Sequence, residues 1–384
     1  MAPAKREQMF LQHEPWHRLQ ALFRRYPVLA QLWALTIRQW RDHLLEVIGR
    51  ATRDRAVLSQ MFFDQKPLGK IDDVELGLSD PHFCGRSVVR VIFENSSIIY
   101  KPGRRQGEAE WHSLLNWMNR HGFHPALRAA PVLQRRGYCW MEDIAPTQCS
   151  SRAAARRFYQ RVGGTIVAAY LLKAVDCHRQ NMIAAGEQPV VVDLDALWHV
   201  SAVTKTQSPV TVLLRTGFFP SQNRRSLQSR SSVLAETKSG IHLPRVKGAI
   251  LQAADFKEAI VKGFAAGWKC ILGTHQRNAS FCRRVRRIRS RKRRWIYWAT
   301  VRYIEIRQAS IEPGALRSSA ARRKLVERLC TRGTAGSAVK KAEIESLLRL
   351  DIPYFIRRTD ESMPAETPAM VPELTAAIRN ALSR

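Results

Sequence analysis

Residues 87–101 read SVVRVIFENSSIIYK, and this stretch decides the fold. Its first seven residues are rich in β-branched and aromatic side chains, which favours a strand up to Phe93. The polar residues 94–97 predict a turn, and residues 98–101 predict a second strand. The two strands therefore form a hairpin, and its second strand ends in a lysine, Lys101.

Helices and short strands follow one another on both sides of this hairpin. Before it, apolar residues recur at helical spacing across residues 8–64, with a break at Pro27. A polar loop at 176–181 follows the longest predicted helix, and the chain is mostly helical from residue 249 onward. The predicted helices after the hairpin include 107–121, 151–174 and 372–383, and the predicted strands are 130–134, 137–142 and 189–193.

The order of these elements is that of a protein kinase. Two strands ending in a lysine come first, then a helix, further strands, a long helix, a polar loop and a strand that ends in an acid. A kinase needs a cation on the nucleotide phosphates, an acid near the acceptor hydroxyl, and an amide with a carboxylate for magnesium. We therefore predict an α+β fold with a protein-kinase-like, or lipid-kinase-like, bilobal core and added helices.

Four residues fit these roles by their place in the order. Lys101 would be the cation on the phosphates, and Asp176 would take or orient the acceptor proton. Asn181 and Asp193 would hold Mg²⁺, because both side chains offer hard oxygen ligands. The predicted cofactors are therefore ATP and Mg²⁺.

The acid that pairs with Lys101 is expected on the following helix, at Glu108 or Glu110, and we favour Glu110. The chain lacks the Gly-x-Gly-x-x-Gly loop of a kinase, and Asp193-Leu194-Asp195 stands where Asp-Phe-Gly is expected. Each motif alone is weak, because a strand lysine is usually a solvated edge residue and an Asp-x-His turn usually makes local hydrogen bonds. Their shared order is what supports a function.

The composition is that of a globular chain with a large basic excess. Hydrophobic residues make up 45% of the chain and charged residues 25%. The net charge is +31, and most of it falls after residue 200, where 36 basic residues accompany 13 acidic ones. That half should attract an anion, such as ATP, a phosphorylated intermediate, an acidic peptide or a nucleic acid.

The densest charge is at residues 283–294, where nine of twelve residues are basic. Three interpretations stay open: a solvated helix face, a surface for an acidic peptide or phosphates, and a nucleic-acid surface. No helix-turn-helix, zinc finger or RNA-binding motif accompanies the run, and stacking aromatics do not alternate with it. Nucleic acid therefore ranks third.

The seven cysteines are scattered and include no Cys-x-x-Cys pair, so we expect no zinc and reduced thiols typical of the cytosol. The N-terminus lacks the apolar run of a signal peptide. The longest apolar stretch, residues 162–175, is too short to span a bilayer. These features favour a soluble cytoplasmic protein.

Seven segments match one known family in the same order along the chain. They are Leu76–His82 with Gly85–Val88, Tyr100–Pro102, Asp176–Asn181, Val192–His199, Leu214–Pro220, Arg294–Thr300 with Tyr303, and Asp351–Phe355. On these segments the chain resembles the dehydratase domain of type II lanthipeptide synthetases, the LanM family. One departure is Trp298, which stands where the family usually has an arginine.

The resemblance implies an enzyme, a lyase or dehydratase with a kinase-type half-reaction. Such an enzyme uses ATP to phosphorylate Ser and Thr in a ribosomal precursor peptide, then eliminates the phosphate to leave dehydroalanine or dehydrobutyrine. The resemblance assigns phosphorylation to Lys101, Asp176, His178, Asn181 and Asp193. It assigns elimination to Asp80, His82, Arg294 and Thr300. Elimination needs a base for the α-proton and a cation or acid at the leaving phosphate. Arg294 suits a phosphate clamp and His82 suits proton transfer near neutral pH, while the sequence leaves open which group is the base and which the acid.

The resemblance also sets the predicted organisation and partners. We expect a short helical cap at 1–70, a kinase-like N-lobe at 71–145, a kinase-like C-lobe with elimination elements at 146–360, and a tail at 361–384. The substrate would be a precursor peptide with an acidic leader. Nothing after residue 355 resembles the zinc site of the family's C-terminal cyclase domain, so ring closure would need a separate cyclase.

Two other functions are kept as alternatives. The second hypothesis is a kinase-like protein that binds ATP or phosphorylates without eliminating, and Trp298 favours it. The third is a basic nucleic-acid-binding protein.

Overall fold

The structure is a computed structural model with helices and antiparallel strands. It describes residues 15–103, 106–197, 208–220, 232–237, 239–272, 292–295, 297–330, 336–358 and 370–383. The chain divides into two compact units. The first comprises residues 1–96 and 296–354, and the second comprises residues 97–295 and 355–384.

Helices make up much of both units. They are α1 (Pro15–Arg25), α2 (Pro27–Phe62), α3 (Gln106–Arg120), α4 (Arg152–Leu171), α5 (Pro209–Leu214), α6 (Lys257–Leu272), α7 (Thr300–Ala309), α8 (Ser319–Cys330), α9 (Ser337–Leu348) and α10 (Met370–Leu382). Short 3₁₀ turns occur at Arg179–Asn181, Ala253–Phe256 and Ala315–Arg317.

The strands are short and pair antiparallel. They are β1 (Ile71–Glu75), β2 (Val89–Phe93), β3 (Ser96–Pro102), β4 (Val132–Arg135), β5 (Tyr138–Glu142), β6 (Met182–Ala185), β7 (Gln188–Val191), β8 (Arg245–Val246), β9 (Ala249–Ile250), β10 (Lys292–Trp295) and β11 (Phe355–Arg358). In the second unit β5 lies between β3 and β4, while β6 pairs with β7 and β10 with β11.

In the first unit, Pro27 ends α1 and begins α2, because proline lacks the N–H that a helix interior needs but fits the first helical position. One side of α2 buries Val47, Ala51 and Leu58, which recur at helical spacing. The strand β1 pairs with β2 in a register that places Val74 opposite Val91.

The core of the second unit is built around α4. Ser151 caps this helix by accepting a hydrogen bond from the Ala154 N–H, 3.2 Å away. The helix is buried along most of its length because its sequence is small and apolar, and it packs against α6. Aromatic pairs such as Tyr170 with Trp268 complete this core, with ring centroids 5.5 Å apart.

Most predicted elements are present, including both strands around Glu94 and the helices α3, α4 and α10. The chain was expected to be mostly helical from residue 249 onward, and at Arg294 this was wrong. Arg294 lies on β10 and Thr300 begins α7. The cause is tertiary, since β10 pairs with β11, and local helical propensity yields to such pairing.

The mixed composition of helices and antiparallel strands confirms the coarse fold prediction. The kinase-like lobes and the boundaries at residues 70, 145 and 360 stay predictions. Residues 283–291 of the basic run lie outside the described residues. Among the described residues, no helix is both long and apolar enough to cross a membrane.

Candidate functional site

Lys101 lies on β3 and is buried, with 5% of its surface exposed. Its Nζ donates to Glu108 Oε1 at 3.1 Å and to the backbone carbonyl of Val192. The partner is therefore Glu108, and the choice of Glu110 was wrong. Residues two apart on a helix point about 200° apart, so only one of the two glutamates can face the strand.

Gly107 explains how Glu108 reaches this position. A Cβ at Gly107 would lie 2.2 Å from the backbone oxygen of Leu194, closer than any side chain tolerates. The first turn of α3 therefore packs directly on the backbone between Asp193 and Asp195. The result is a cluster in which carboxylate oxygens of Glu108, Asp193 and Asp195 all lie within 4.8 Å of one another.

The loop at 176–181 joins this cluster through backbone geometry. The side-chain amide of Asn181 donates to the carbonyl of Asp176 at 2.9 Å, which folds the loop on itself. The Val192 N–H donates to the carbonyl of Asn181, also at 2.9 Å. The side-chain amide nitrogen of Asn181 thus stabilises the loop. The side-chain carbonyl oxygen, Oδ1, is the atom suited to a cation.

Asp176 and His178 form a pair in the same loop, with Nε2 of His178 3.4 Å from Oδ1 of Asp176. Burial raises the pKa of Asp176, and the negative charge of Asp193 acts in the same direction. The charges of His178 and Arg294 oppose this rise. A carboxylate with a raised pKa is a better proton acceptor, which suits a general base.

Gly217 holds the loop from the other side. Its φ is +92°, and a Cβ there would lie 2.8 Å from the backbone carbon of Cys177. The neighbouring Thr216 carbonyl accepts a hydrogen bond from the Cys177 N–H at 3.0 Å. Glycine is thus required for both the backbone angle and the close approach, and the 214–220 segment thereby supports the 176–181 loop.

Arg294, which the resemblance assigns to elimination, lies beside the predicted nucleotide site. Its Nη1 lies 3.7 Å from Oδ2 of Asp195, and both side chains are largely buried, at 12% and 5% exposed. The strand pairing that fixes Arg294 places it opposite Ile356. A guanidinium at this position can clamp a phosphoryl group.

The other residues that the resemblance assigns to elimination, Asp80, His82 and Thr300, lie in the first unit. His82 is buried, and its Nδ1 lies 2.6 Å from the backbone oxygen of Ile352. A carbonyl only accepts, so Nδ1 carries a proton, and in the neutral form of the ring the lone pair is on Nε2. Thr300 begins α7 in the same unit.

The first unit also contains a positioning acid that the sequence prediction did not single out. Asp351 accepts hydrogen bonds from the N–H groups of Cys84 at 2.8 Å and Gly85 at 2.7 Å. Burial raises the pKa of Asp351, although these two bonds and nearby arginines oppose the rise. Tyr354 places its ring edge-on to His82, with centroids 5.2 Å apart. The 351–355 segment therefore supports the turn that carries His82.

Two functional candidates escaped the sequence prediction: Asp195 as a carboxylate of the cluster, and Asp351. For Asp195 a signal existed, because Asp193-Leu194-Asp195 places two acids two residues apart after a strand. For Asp351, membership in a matched segment was the only signal.

A comparison with protein-family models identifies the family of this chain. The matching family model is described as "Domain of unknown function (DUF4135)", and it matches residues 26–241 and 229–358. The chain belongs to this family. The domain is the dehydratase region of the LanM enzymes, so the family resemblance found in the motifs is confirmed.

A curated relative supports the LanM assignment. The chain is 22% identical, over 330 residues, to the "Lacticin 481/lactococcin biosynthesis protein LcnDR2" of Lactococcus lactis subsp. lactis. The alignment covers 73% of this chain and 35% of the relative. The chain therefore spans about a third of the length of this LanM protein.

Proposed function

We propose that this chain is a lanthipeptide dehydratase. It uses ATP to phosphorylate Ser and Thr of a ribosomal precursor peptide, then eliminates the phosphate to give dehydroalanine or dehydrobutyrine. Membership of the LanM family supports a role in lanthipeptide biosynthesis. The observation that carries the proposal is the buried ion pair of Lys101 with Glu108, set beside Asp193.

For the first step, this arrangement supplies the groups of a kinase-like site. Asn181 and Asp193 would hold Mg²⁺, whose charge offsets that of the phosphates when it is bound. The three clustered carboxylates fit a hard cation, because oxygen donors are its preferred ligands. Lys101 binds the phosphates, and Asp176 accepts the proton of the substrate hydroxyl.

For the second step, an α-proton leaves the phosphorylated residue and its C–O bond to phosphate breaks. Nε2 of His82 is the proposed proton acceptor, because the bond from Nδ1 to Ile352 fixes the tautomer. Arg294 neutralises charge on the departing phosphate. Asp80 and Thr300 are assigned to this step by the family resemblance.

The test is mass spectrometry of a candidate precursor peptide that contains Ser and Thr, incubated with the chain, ATP and Mg²⁺. Phosphorylation adds about 80 Da per residue. Completed elimination leaves each residue about 18 Da lighter than at the start. A peptide of unchanged mass, when the protein is folded and ATP is present, contradicts the proposal. The acidic leader and a separate cyclase belong to the same proposal and are tested by deleting the leader and by adding the cyclase.

One observation favours a second candidate, a kinase-like protein without elimination. Trp298 replaces a family arginine, and its ring lies beneath the guanidinium of Arg302, 4.3 Å from the centroid. The same spectra separate the two candidates, because this one ends at the phosphorylated peptide. A nucleic-acid role is the third candidate, and no described residue adds support to it.

A further inference from the structure

The first two helices carry three tryptophans that are exposed on the surface of the first unit. Trp16 on α1 is 74% exposed, and Trp33 and Trp40 on α2 are 49% and 55% exposed. Ile37, which is 52% exposed, lies between the last two. Residues 33, 37 and 40 have the spacing i, i+4, i+7, so their side chains share one face of α2. Neighbouring exposed apolar side chains of this size mark an interaction surface.

The exposed side chains of the two helices are continuous with one another. Phe23 comes seven residues after Trp16, which places both on the same face of α1. The rings of Phe23 and Trp33 meet edge-on, with centroids 5.7 Å apart. This contact joins the apolar face of α1 to that of α2. We call the surface formed by these two faces the tryptophan strip, and it comprises Trp16, Phe23, Trp33, Ile37 and Trp40.

The sequence that carries the tryptophan strip has positive charge and no negative charge. Residues 15–41 contain five arginines and no aspartate or glutamate. Arg24 lies in the last turn of α1, and Arg38 and Arg41 are exposed on α2. The first acid after them, Asp42, forms an exposed ion pair with Arg41 at 2.7 Å, which water screens. This charge favours an anionic partner and disfavours a second copy of the chain, because the arginines of two copies would repel one another.

Two anionic partners have the right charge, an acidic helical peptide and an anionic bilayer. A peptide helix is bound in a groove that encloses its apolar side. The tryptophan strip protrudes instead, as the exposure of Trp16 shows. Protruding tryptophans beside arginines suit the boundary between lipid head groups and acyl chains, because the indole rings are buried there while the guanidinium groups meet phosphates. The shape therefore favours the bilayer.

We propose that the tryptophan strip and its arginines bind the surface of a membrane that contains anionic lipid. The indole rings enter the interface to a depth of about 5–10 Å, and the two helices lie on the bilayer. Because this binding requires neither ATP nor a precursor peptide, it is tested separately from the proposed function.

The experiment is flotation of the full chain with lipid vesicles in a density gradient. Vesicles of phosphatidylcholine and phosphatidylglycerol in equal parts should carry the chain upward. Vesicles of phosphatidylcholine alone should bind it at least about tenfold more weakly, because they lack the negative surface potential that attracts arginine. Binding to the anionic vesicles should weaken as salt is added, since salt screens the same attraction.

Ile37→Ser and Trp40→Ser test the apolar part of the surface. We expect each variant to bind the anionic vesicles about fivefold more weakly or worse, because binding scales with the apolar area that enters the interface. The matched control is Ile311→Ser, at an isoleucine of the same unit that is 46% exposed, and it should bind as wild type does. Thermal melting shows that each variant is folded.

The double variant Arg38→Gln with Arg41→Gln tests the charge. We expect a loss of about fivefold for each arginine removed. The control is Lys324→Gln with Lys341→Gln, which removes the same charge from exposed positions on α8 and α9 of the same unit. An equal loss in this control would assign the binding to the net charge of +31 and overturn the proposal.

Three further outcomes overturn the proposal. The first is a wild-type chain that does not float with anionic vesicles at low salt. The second is equal flotation by wild type, Ile37→Ser and Trp40→Ser. The third is a chain that stays unbound to vesicles and instead binds a fluorescein-labelled acidic helix of Glu and Leu, with that binding lost in Trp40→Ser, which would assign the strip to a peptide. A wild-type dimer in sedimentation velocity that Trp40→Ser dissociates, again without flotation, would assign it to a second copy.

Discussion

Lys101→Met should destabilise the second unit by leaving a buried carboxylate without its cation. The side chains of Lys101 and Glu108 are 6% and 0% exposed, so solvent screening removes little of the effect. Breaking one side of a buried ion pair costs about 3–5 kcal/mol. A unit of this size loses about 2–4 °C of melting temperature per kcal/mol, which gives a decrease of about 6–20 °C.

The double variant Lys101→Met with Glu108→Gln isolates the cause. Because the glutamine is neutral, most of the lost stability should return, with a coupling free energy of about 2–3 kcal/mol between the two positions. The assay is urea unfolding followed by tryptophan fluorescence and circular dichroism. Lys262→Met, at an exposed lysine of α6, is the matched control and should melt with the wild type.

Two results would refute this reasoning. One is a melting temperature for Lys101→Met within about 2 °C of wild type, since the buried pair predicts a larger loss. The other is a double variant no more stable than Lys101→Met, because the cost would then come from lost packing of the lysine stem and not from the stranded charge.

Three further predictions concern other parts of the chain. Gly217→Ala should lose at least about 1 kcal/mol more stability than Gly137→Ala in urea unfolding, because both have φ near +90° but only Gly217 faces backbone, that of Cys177. Burial, with a smaller effect of Lys101, lowers the pKa of His112 from 6.5 to about 4. Between these two pH values the unfolded chain binds a proton at His112 and the folded chain does not. Stability should therefore fall by about 2 kcal/mol from pH 7 to pH 5 through this residue, and urea titrations of His112→Gln should lack that part of the fall. His82→Gln should accumulate phosphorylated peptide in the mass spectra while keeping the first step, and loss of both steps together would contradict separate roles.

The sequence alone determined most local structure and the order of the motifs. The hairpin strands and α4 follow from side-chain period and size, which act between near neighbours in the chain. The sequence also predicted functional roles for the lysine on β3 and for the loop at 176–181, because these roles were inferred from the order of the motifs along the chain. The seven segments that match the LanM family in the same order identify that family without any knowledge of tertiary contacts.

Only the tertiary structure decided which side chains meet. Glu108 rather than Glu110 faces Lys101, because the packing of Gly107 on Leu194 sets the rotation of α3, and helical period does not contain that angle. Arg294 lies on a strand because β10 pairs with β11, which begins some sixty residues later in the chain. Local sequence contains no information on such a distant partner.

The contacts that build the candidate site also join residues that are far apart in sequence. Asp351 supports the turn after His82 across 267 residues, and Arg294 reaches Asp195 from a separate strand. Such contacts depend on how the helices and strands pack against one another. Burial and charge then act between residues that no local sequence pattern connects. The sequence could therefore name the chemical groups, while the fold determined which of them share a site.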